Sequence, residues 1–326
     1  MLSENAVMTP WLIICNPAAG RGRLLGQWPV VQQTLRQAGV AFDVAMTRAP
    51  GDATRLAREA PGRYRGVVAV GGDGTVHEVG NGLLLASDEQ STLPMAVIPL
   101  GSGDDFAKMI PPQAPVGGKC FDWREAVAKI ARGQTQPFDC ARLAGWKQAD
   151  GAVASQNGGL QYLINGMDLG FGAHANRNMA SMPFFMKGFA AYLGAILKTL
   201  ANIPQLRLRV QLDGDAPIAI STTMTAICNG RSFGGSFWVT PQAQADDGLL
   251  DVLLVQALGR VAILGLIPKI TKGRHLGDPR LRIVQARRVL IESEQPFAVE
   301  VDGEMPFAPL RRLQVDVLPG RLTVVV

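Results

Sequence analysis

Residues 66–85, GVVAVGGDGTVHEVGNGLLL, leave few folds open to this chain. The apolar run Val67-Val68-Ala69-Val70 lacks polar alternation, so it reads as a strand buried on both faces, as in a parallel sheet. It enters Gly71-Gly72-Asp73-Gly74-Thr75 directly, and then a segment with helical apolar spacing, Val76, Val79, Leu83 and Leu84. Strand, glycine turn and helix in succession aim backbone N–H groups and a helix N-terminus at an anion. A plain βα turn needs one glycine for positive φ. Three glycines around an Asp and a Thr let the backbone approach a phosphate chain that side chains would obstruct.

The arrangement recurs. Residues 11–15 (WLIIC) predict a buried strand ending in Asn16-Pro17-Ala18-Ala19-Gly20-Arg21-Gly22-Arg23. Residues 95–99 (MAVIP) predict another, ending in Leu100-Gly101-Ser102-Gly103-Asp104-Asp105. Helices are expected over 24–37, stopped by Gly39 as a C′ glycine, and from about Asp52 to Ala60, with a strand over 40–46 between them. Three glycine-rich strand ends in alternating β and α segments make a doubly wound parallel α/β sheet, which binds ligands beyond the carboxyl ends of its strands.

From residue 136 the texture changes. Residues 138–143, 160–165, 206–212, 218–228, 249–255, 281–284, 289–292 and 297–301 read as strands. Several alternate as a sheet with one buried face does, for example Leu206-Arg207-Leu208-Arg209-Val210-Gln211-Leu212. This half is expected to be an antiparallel β domain with a polar, glycine-bearing loop within 142–159 and helical inserts at 183–202 and 260–271.

Composition narrows the function classes. The 326 residues are 47% hydrophobic and 18% charged, an ordinary globular balance with length for two domains. Four cysteines without a CxxC pair point to a reducing compartment, and three histidines, His77, His174 and His275, without partner spacing argue against a histidine metal site. The first ten residues lack the pattern of a signal peptide. No apolar run reaches the roughly 18 to 20 residues that span a bilayer; the nearest, 184–203, is broken by Lys187 and Lys198. A net charge of +5 suits an anionic partner such as a nucleotide or an acidic membrane surface. There is no GxxxxGK[ST], no GxGxxG after a strand and no HRD or DFG set, which argues against P-loop, dinucleotide-oxidoreductase and protein-kinase chemistry.

The ordered motifs match another pattern. Asn16-Pro17-x-x-Gly20, Gly71-Gly72-Asp73-Gly74-Thr75 with Glu78 and Asn81, and Pro99-Leu100-Gly101-Ser102-Gly103-Asp104-Asp105-Phe106-Ala107 resemble the signatures of the diacylglycerol kinase catalytic-domain family. Asn165-Gly166-x-x-Leu169-Gly170-Phe171-Gly172, Asn229 with Gly234-Gly235, Asp246-Asp247-Gly248-Leu249-Leu250-Asp251 and Val301-Asp302-Gly303-Glu304 follow in family order. The resemblance covers nearly the whole chain. It is closest to bacterial soluble lipid kinases and more distant to sphingosine kinases.

The resemblance implies an α/β nucleotide-binding domain over 1–136, of NAD-kinase and diacylglycerol-kinase type. It also implies an antiparallel β-sandwich over 137–310 for the lipid acceptor, and C-terminal strands over 311–326, with a return to the N-terminal domain as one option. ATP would bind in the cleft between the two domains. By match of position, Asn16, Pro17, Ala18, Ala19, Gly20, Thr47, Gly71, Gly72, Asp73, Gly74, Thr75 and Ser102 would hold it. Ser102 replaces the family's Thr and keeps the hydroxyl; Asp104 replaces an Asn and adds charge. Asp105 is either a helix N-cap or a group at the ATP or metal.

Asp73 is the candidate for orienting a phosphate-bound Mg²⁺, a hard cation that takes oxygen ligands. Asp302 and Glu304 share the loop where the family places its general base, and the choice between them stays open. If that segment is extended, the two side chains project to one face. Asp247, with backbone carbonyls near Gln244 and Leu249, resembles the family's structural Mg²⁺ site, and a plain Asp-Gly turn is the alternative. The expected activity is ATP- and Mg²⁺-dependent phosphorylation of a lipid hydroxyl in phospholipid metabolism. The expected setting is the cytoplasm, with reversible contact at the inner membrane surface and no nucleic-acid partner. Phosphorylation of a soluble acceptor in the manner of NAD kinase, and a non-catalytic nucleotide- or lipid-binding protein, are the rival readings.

Overall fold

The computed structural model describes residues 9–147, 161–179, 182, 189–235 and 237–326. The chain divides into two compact units: Met1–Pro112 with Cys120–Phe138 and Gly320–Val326, and Gln113–Lys119 with Asp139–Pro319.

The first unit alternates strand and helix: β1 (Trp11–Cys15), α1 (Arg23–Gln37), β2 (Phe42–Met46), α2 (Asp52–Arg58), β3 (Val67–Gly71), α3 (Asp73–Ala86), β4 (Met95–Pro99) and α4 (Trp123–Arg132). The strands are parallel in the order β2-β1-β3-β4, and Val324 from the C-terminal strand pairs in parallel with Met95. Every residue of β1, β3 and β4 is buried, as their unbroken apolar runs require. Strand β2 lies at the sheet edge and carries Asp43 exposed. Helix α4 was not expected from the sequence. Asp122 caps it, accepting from the amides of Arg124 (2.8 Å) and Glu125 (3.0 Å), and Gly133 ends it in the left-handed region. Its Ala126, Val127 and Ile130 join the core around Trp28, Val31 and Leu35.

The second unit is built from antiparallel ladders. Its elements, wholly or for the most part, are β5 (Thr135–Trp146), β6 (Gln161–Leu163), β7 (Gly166–Gly170), α5 (Phe171–Met179), α6 (Phe189–Ala201), β8 (Leu206–Leu212), β9 (Ile218–Cys228), β10 (Leu250–Gln256), α7 (Arg260–Ile270), β11 (Leu281–Ala286), β12 (Arg288–Phe297), β13 (Val299–Val301) and β14 (Leu310–Val325), the last residues of β14 from Gly320 belonging to the first unit. Strand β9 organises them. Its first half pairs with β8 and its second half with β7, while β10 runs along its other edge. One long strand thereby serves both layers of a β-sandwich. The core between them contains Leu169, Leu208, Val210, Ile227, Val252, Ile291 and Phe297.

The structure adds detail to the sequence reading at two places. Residues 166–170 form a strand and 171–179 a helix, where the sequence showed only a glycine-bearing motif. Strand β5 continues through Trp146 into the stretch read as a polar loop, most of which lies outside the described residues. Of the helical insert expected over 183–202, Phe189–Ala201 is a helix, and 183–188 lie outside the described residues. All four cysteines are free. Among the described residues, no helix is long and apolar enough to cross a membrane.

Candidate active site

In the first unit, the loops that follow β1, β2, β3 and β4 all lie at the carboxyl edge of the parallel sheet, as the strand directions dictate. The chain runs from β1 outward to β2 and then returns to β3 on the other side of β1, so the topological switch point falls between β1 and β3. Asn16 spans that point. Its Nδ2 donates to Thr75 Oγ1 (3.2 Å) and its Oδ1 accepts from the Ala18 amide (3.0 Å). The turn of Pro17, Ala18, Ala19 and Gly20 is thereby tied to the start of α3. Thr47 stands just past β2, with its amide on the Cys15 carbonyl (2.9 Å).

Gly71 ends β3, and Gly72 holds the N-cap position of α3 in extended conformation. No side chain caps this helix among the described residues, so its first amides are open to an anion. Gly74 is exposed and Thr75 buried. The β3 and β4 loops touch backbone to backbone. A Cβ on Gly101 would stand 2.4 Å from Gly72 Cα, so both loops need glycine for this approach. Ser102 is exposed at the tip of the second loop.

Three carboxylates gather behind the glycines. Asp73 Oδ1 accepts from the amides of Asp105 (2.6 Å) and Phe106 (3.2 Å), which leaves Oδ2 for another partner. Asp104, with φ +50°, accepts the Gly101 amide on its Oδ1 (2.9 Å). Asp105 stands before a short 3₁₀ turn without capping it; its carboxylate instead takes Lys108 Nζ at 2.6 Å, both groups buried. Burial first, and then the charges of Asp105 and Asp104, push the Asp73 carboxyl up to about 7. A divalent cation fits beside it, because it would relieve that repulsion and occupy the open oxygen.

In the second unit, Asp302 and Glu304 do not share a face. Val301 and Glu304 pair across a two-residue hairpin turn, Asp302 with φ +49° and Gly303 with φ +93°, the signs of a type I′ turn. The extended geometry considered from the sequence is therefore replaced by a turn that sends the two side chains apart. Asp302 is buried. Its Oδ2 accepts the Ile164 amide (3.0 Å), and its Oδ1 accepts those of Asn165 (3.0 Å) and Gly166 (2.9 Å). Glu304 is exposed. The turn is braced from below, with Asn176 Nδ2 on the Gly303 carbonyl (2.7 Å) and the Gly303 amide on Glu300.

Asp247, Gln244 and Leu249 lie in the approach to β10. Asp247 Oδ1 accepts the Leu249 amide (3.0 Å), which closes an Asp-Gly turn without any ion, and its Oδ2 faces Gln285 Nε2 (3.3 Å). Gln244 is exposed. Nearby Asp251 is buried with an Oδ2 that has no hydrogen-bond partner, and burial pushes its carboxyl up to about 6. That orphaned acceptor is the feature that fits a cation in this loop. Among the described residues, no group of three or more His, Cys, Asp or Glu side chains is arranged to hold a metal by itself.

Other residues of the sequence motifs have jobs that spacing did not reveal. Glu78 caps α2 from α3, taking the amides of Gly51 and Ala53 at 3.0 Å each. Asn229 carries Nδ2 to the carbonyls of Asp139 (2.7 Å) and Ile164 (3.1 Å), beside the segment that Asp302 holds. His77, His174 and His275 each have a local partner: Asn81, the Gly170 carbonyl and the Val239 carbonyl.

Residues 10–143 match the diacylglycerol kinase catalytic domain, and residues 166–326 match the YegS C-terminal NAD kinase beta sandwich-like domain. The chain is 31% identical over 299 residues to a probable lipid kinase YegS-like protein of Xanthomonas axonopodis pv. citri, covering 89% of this chain and 88% of that one. It is 27% identical over 295 residues to a diacylglycerol kinase of Bacillus subtilis, covering 90% and 88%. A crystal structure of a putative diacylglycerol kinase from Bacillus anthracis shares the fold, with TM-score 0.71 and 24% identity over 97% of this chain and 96% of that one. With a diacylglycerol kinase catalytic domain followed by a YegS-type β-sandwich, this chain belongs to the diacylglycerol kinase and YegS-like lipid kinase family.

Proposed function

We propose that this protein transfers the γ-phosphate of ATP to a hydroxyl of a lipid acceptor, diacylglycerol first, with sphingoid base, monoacylglycerol and phosphatidylglycerol as further candidates. The observation that carries the reading is the uncapped N-terminus of α3, set between two glycine loops at the switch point of a parallel sheet. Membership of a lipid kinase family supports a lipid as the acceptor.

Phosphoryl transfer asks for charge stabilisation, in-line placement and a group to take the alcohol proton. The first amides of α3 and the hydroxyls of Thr75 and Ser102 bind phosphate oxygens. Asn16 fixes the Thr75 hydroxyl, and the 16–20 turn with Thr47 extends the site toward the rest of the nucleotide. Asp73, through Oδ2, would hold Mg²⁺, which when bound neutralises charge on the phosphates. Glu304 serves as the general base, because it is exposed on a braced turn while both oxygens of Asp302 are taken by backbone amides. As the alcohol oxygen bonds to the γ-phosphorus, its proton passes to Glu304 and the bond to the ADP oxygen breaks. A phosphate monoester and ADP leave. Asp302 holds the turn in place. Asp247, with the backbone carbonyls of Gln244 and Leu249, would hold a second, structural Mg²⁺.

The test is transfer of labelled phosphate from ATP into a bacterial lipid extract presented in mixed micelles with Mg²⁺. Label in an organic-phase product establishes the activity, and identification of the product names the acceptor. Label that stays aqueous while ATP is bound moves the search to NAD and other soluble alcohols.

A further inference from the structure

Helix α7 is apolar on both sides. Its inner face, with Ile263 and Leu266 buried and Ile267 and Ile270 partly so, packs on a core cluster with Ile196, Leu253 and Val255. Its outer face carries Val261, Leu264, Gly265 and Pro268, spaced i, i+3, i+4, i+7 and all exposed. Val261 is 85% exposed and Leu264 47%. A surface helix of a water-soluble domain places polar residues on that stripe. Here no charged residue falls between Arg260 and Lys269.

The surroundings say what the stripe meets. Between Asp251 and Asp278 the chain holds Arg260, Lys269, Lys272 and Arg274 and no carboxylate. Lys269 reaches back to Asp278 (3.1 Å), while Lys272 and Arg274 are exposed. Arg260 Nη2 donates to the Ala201 carbonyl (2.9 Å), which sets the helix start beside the end of α6, where Leu197 is 54% exposed. Beneath α7 lies an apolar cavity of about 90 Å³, walled by Ile263, Leu266 and Ile267 above and Phe237, Leu253 and Leu281 below. Exposed aliphatic side chains flanked by the exposed cations Arg260, Lys272 and Arg274 match the edge of an anionic bilayer, with hydrocarbon below and phosphate at the rim. A second copy of this chain matches poorly, since a two-fold interface would set Arg260, Lys272 and Arg274 against their own copies.

From this we infer that the outer face of α7 is the surface by which the protein docks on anionic lipid bilayers, Val261 and Leu264 entering the interface and Arg260, Lys272 and Arg274 lying among the headgroups. The inference rests on the lipid-acceptor reading for its purpose, and its test does not depend on that reading. The experiment is flotation of the full chain with vesicles of phosphatidylcholine alone, and of phosphatidylcholine and phosphatidylglycerol in equal parts. Wild type is expected to float with the anionic vesicles and to be released by salt. The double variant Val261→Glu, Leu264→Glu should bind them about tenfold or more weakly, as two aliphatic groups withdrawn from hydrocarbon dictate. Because both side chains face outward, its melting temperature should match wild type. A second readout does not need that variant: Val261→Trp should shift its fluorescence to the blue when anionic vesicles are added. Equal flotation of wild type and double variant, an unshifted Val261→Trp signal, or a dimer that the double variant dissociates would each overturn the proposal. Phosphate transfer in detergent micelles, measured alongside, keeps the two readings apart. Transfer without α7-dependent flotation removes the docking surface alone, and α7-dependent flotation without transfer removes the kinase reading alone.

Discussion

Asp168 and Glu300 face each other across the antiparallel pair β7 and β13, two carboxyl groups buried at one rung of the ladder. Among the described residues neither oxygen of Asp168 receives a hydrogen bond of good geometry, although the amides of Gly172 and Ala173 lie close by. Burial pushes both carboxyls up, Asp168 to about 7, and the amides of Gly172 and Ala173 offset only part of that. Glu300 is raised further by the charge of Asp168. One proton held between the two carboxyls resolves the conflict.

That proton has a thermodynamic consequence with a definite sign. An unfolded Asp loses its proton near pH 4, whereas native Asp168 keeps its own up to about pH 7, and burial and the charge of Asp168 hold the Glu300 proton above the usual carboxylate range as well. Between those values the native state binds more protons than the unfolded state, so stability falls as pH rises through that window. Asp168→Asn supplies a permanent donor to Glu300 and removes the share of this dependence that Asp168 carries. The expected result is a wild-type melting temperature that drops from pH 5 to pH 8, by about 2–4 °C for each kcal/mol lost, and a flatter profile for the variant. Parallel profiles would show that the pair does not share a proton.

Asp302 and Glu304 should separate cleanly by mutation. Glu304→Gln removes the proposed base from an exposed position, so kcat should fall by about 10²–10⁴-fold, with ATP affinity and melting temperature held. Asp302→Ala leaves three buried amides without their acceptor, at about 1–3 kcal/mol each before relaxation. It should lower the melting temperature by several degrees as well as the activity. Steady-state kinetics with thermal melts on both variants decide the matter, and a Glu304→Gln enzyme at wild-type kcat would return the base role to Asp302.

Contact between Gly72 and Gly101 gives a third prediction. In Gly101→Ala the new methyl would lie 2.4 Å from Gly72 Cα and 2.6 Å from Asp104 Oδ1, and the glycine backbone has no rotamer with which to retreat. The two loops must part. Overpacking of this kind costs about 1–3 kcal/mol, and here it also displaces the phosphate cradle. ATP binding, measured by titration calorimetry, should weaken at least tenfold, and unchanged affinity would mean that the loop contact does not shape the site.

Local signals made part of this molecule readable in advance. The β3 strand, its glycine turn and the start of α3 are contiguous, so an apolar run and three glycines within a few residues were enough for the α/β fold. Strand β7 was hidden because Gly166, Asp168 and Gly170 are poor strand formers; it is held by β9 and β13, partners far away in the chain. Helix α4 carries its own sequence signals, Asp122 at the N-cap and Gly133 at the end. The direction of Asp302 depends on amides 136 to 138 residues upstream. An Asp-Gly pair between Val301 and Glu304 was nonetheless a legible hairpin-turn signal against an extended loop. Glu78 stood in a recognisable motif, and its capping of α2 came into view only when α2 and α3 were seen packed together.

The Asp247 loop yields the last prediction. Its turn closes through the Leu249 amide with or without an ion, so the loop's shape alone says nothing about metal. The buried Asp251 Oδ2 does bear on it, because a carboxylate oxygen with no donor favours a cation nearby. Asp247→Asn keeps an oxygen for the Leu249 amide and removes the charge. Without Mg²⁺ its melting temperature should therefore equal that of wild type. With Mg²⁺ at tenfold over its dissociation constant, wild type gains about 1.4 kcal/mol, a rise of about 3–6 °C, and the variant gains nothing. Ca²⁺ in place of Mg²⁺ tests the size of the site, since the larger ion accepts irregular oxygen sets that Mg²⁺ does not. Identical melting with and without either ion, in both proteins, would leave Asp247 as a turn residue and nothing more.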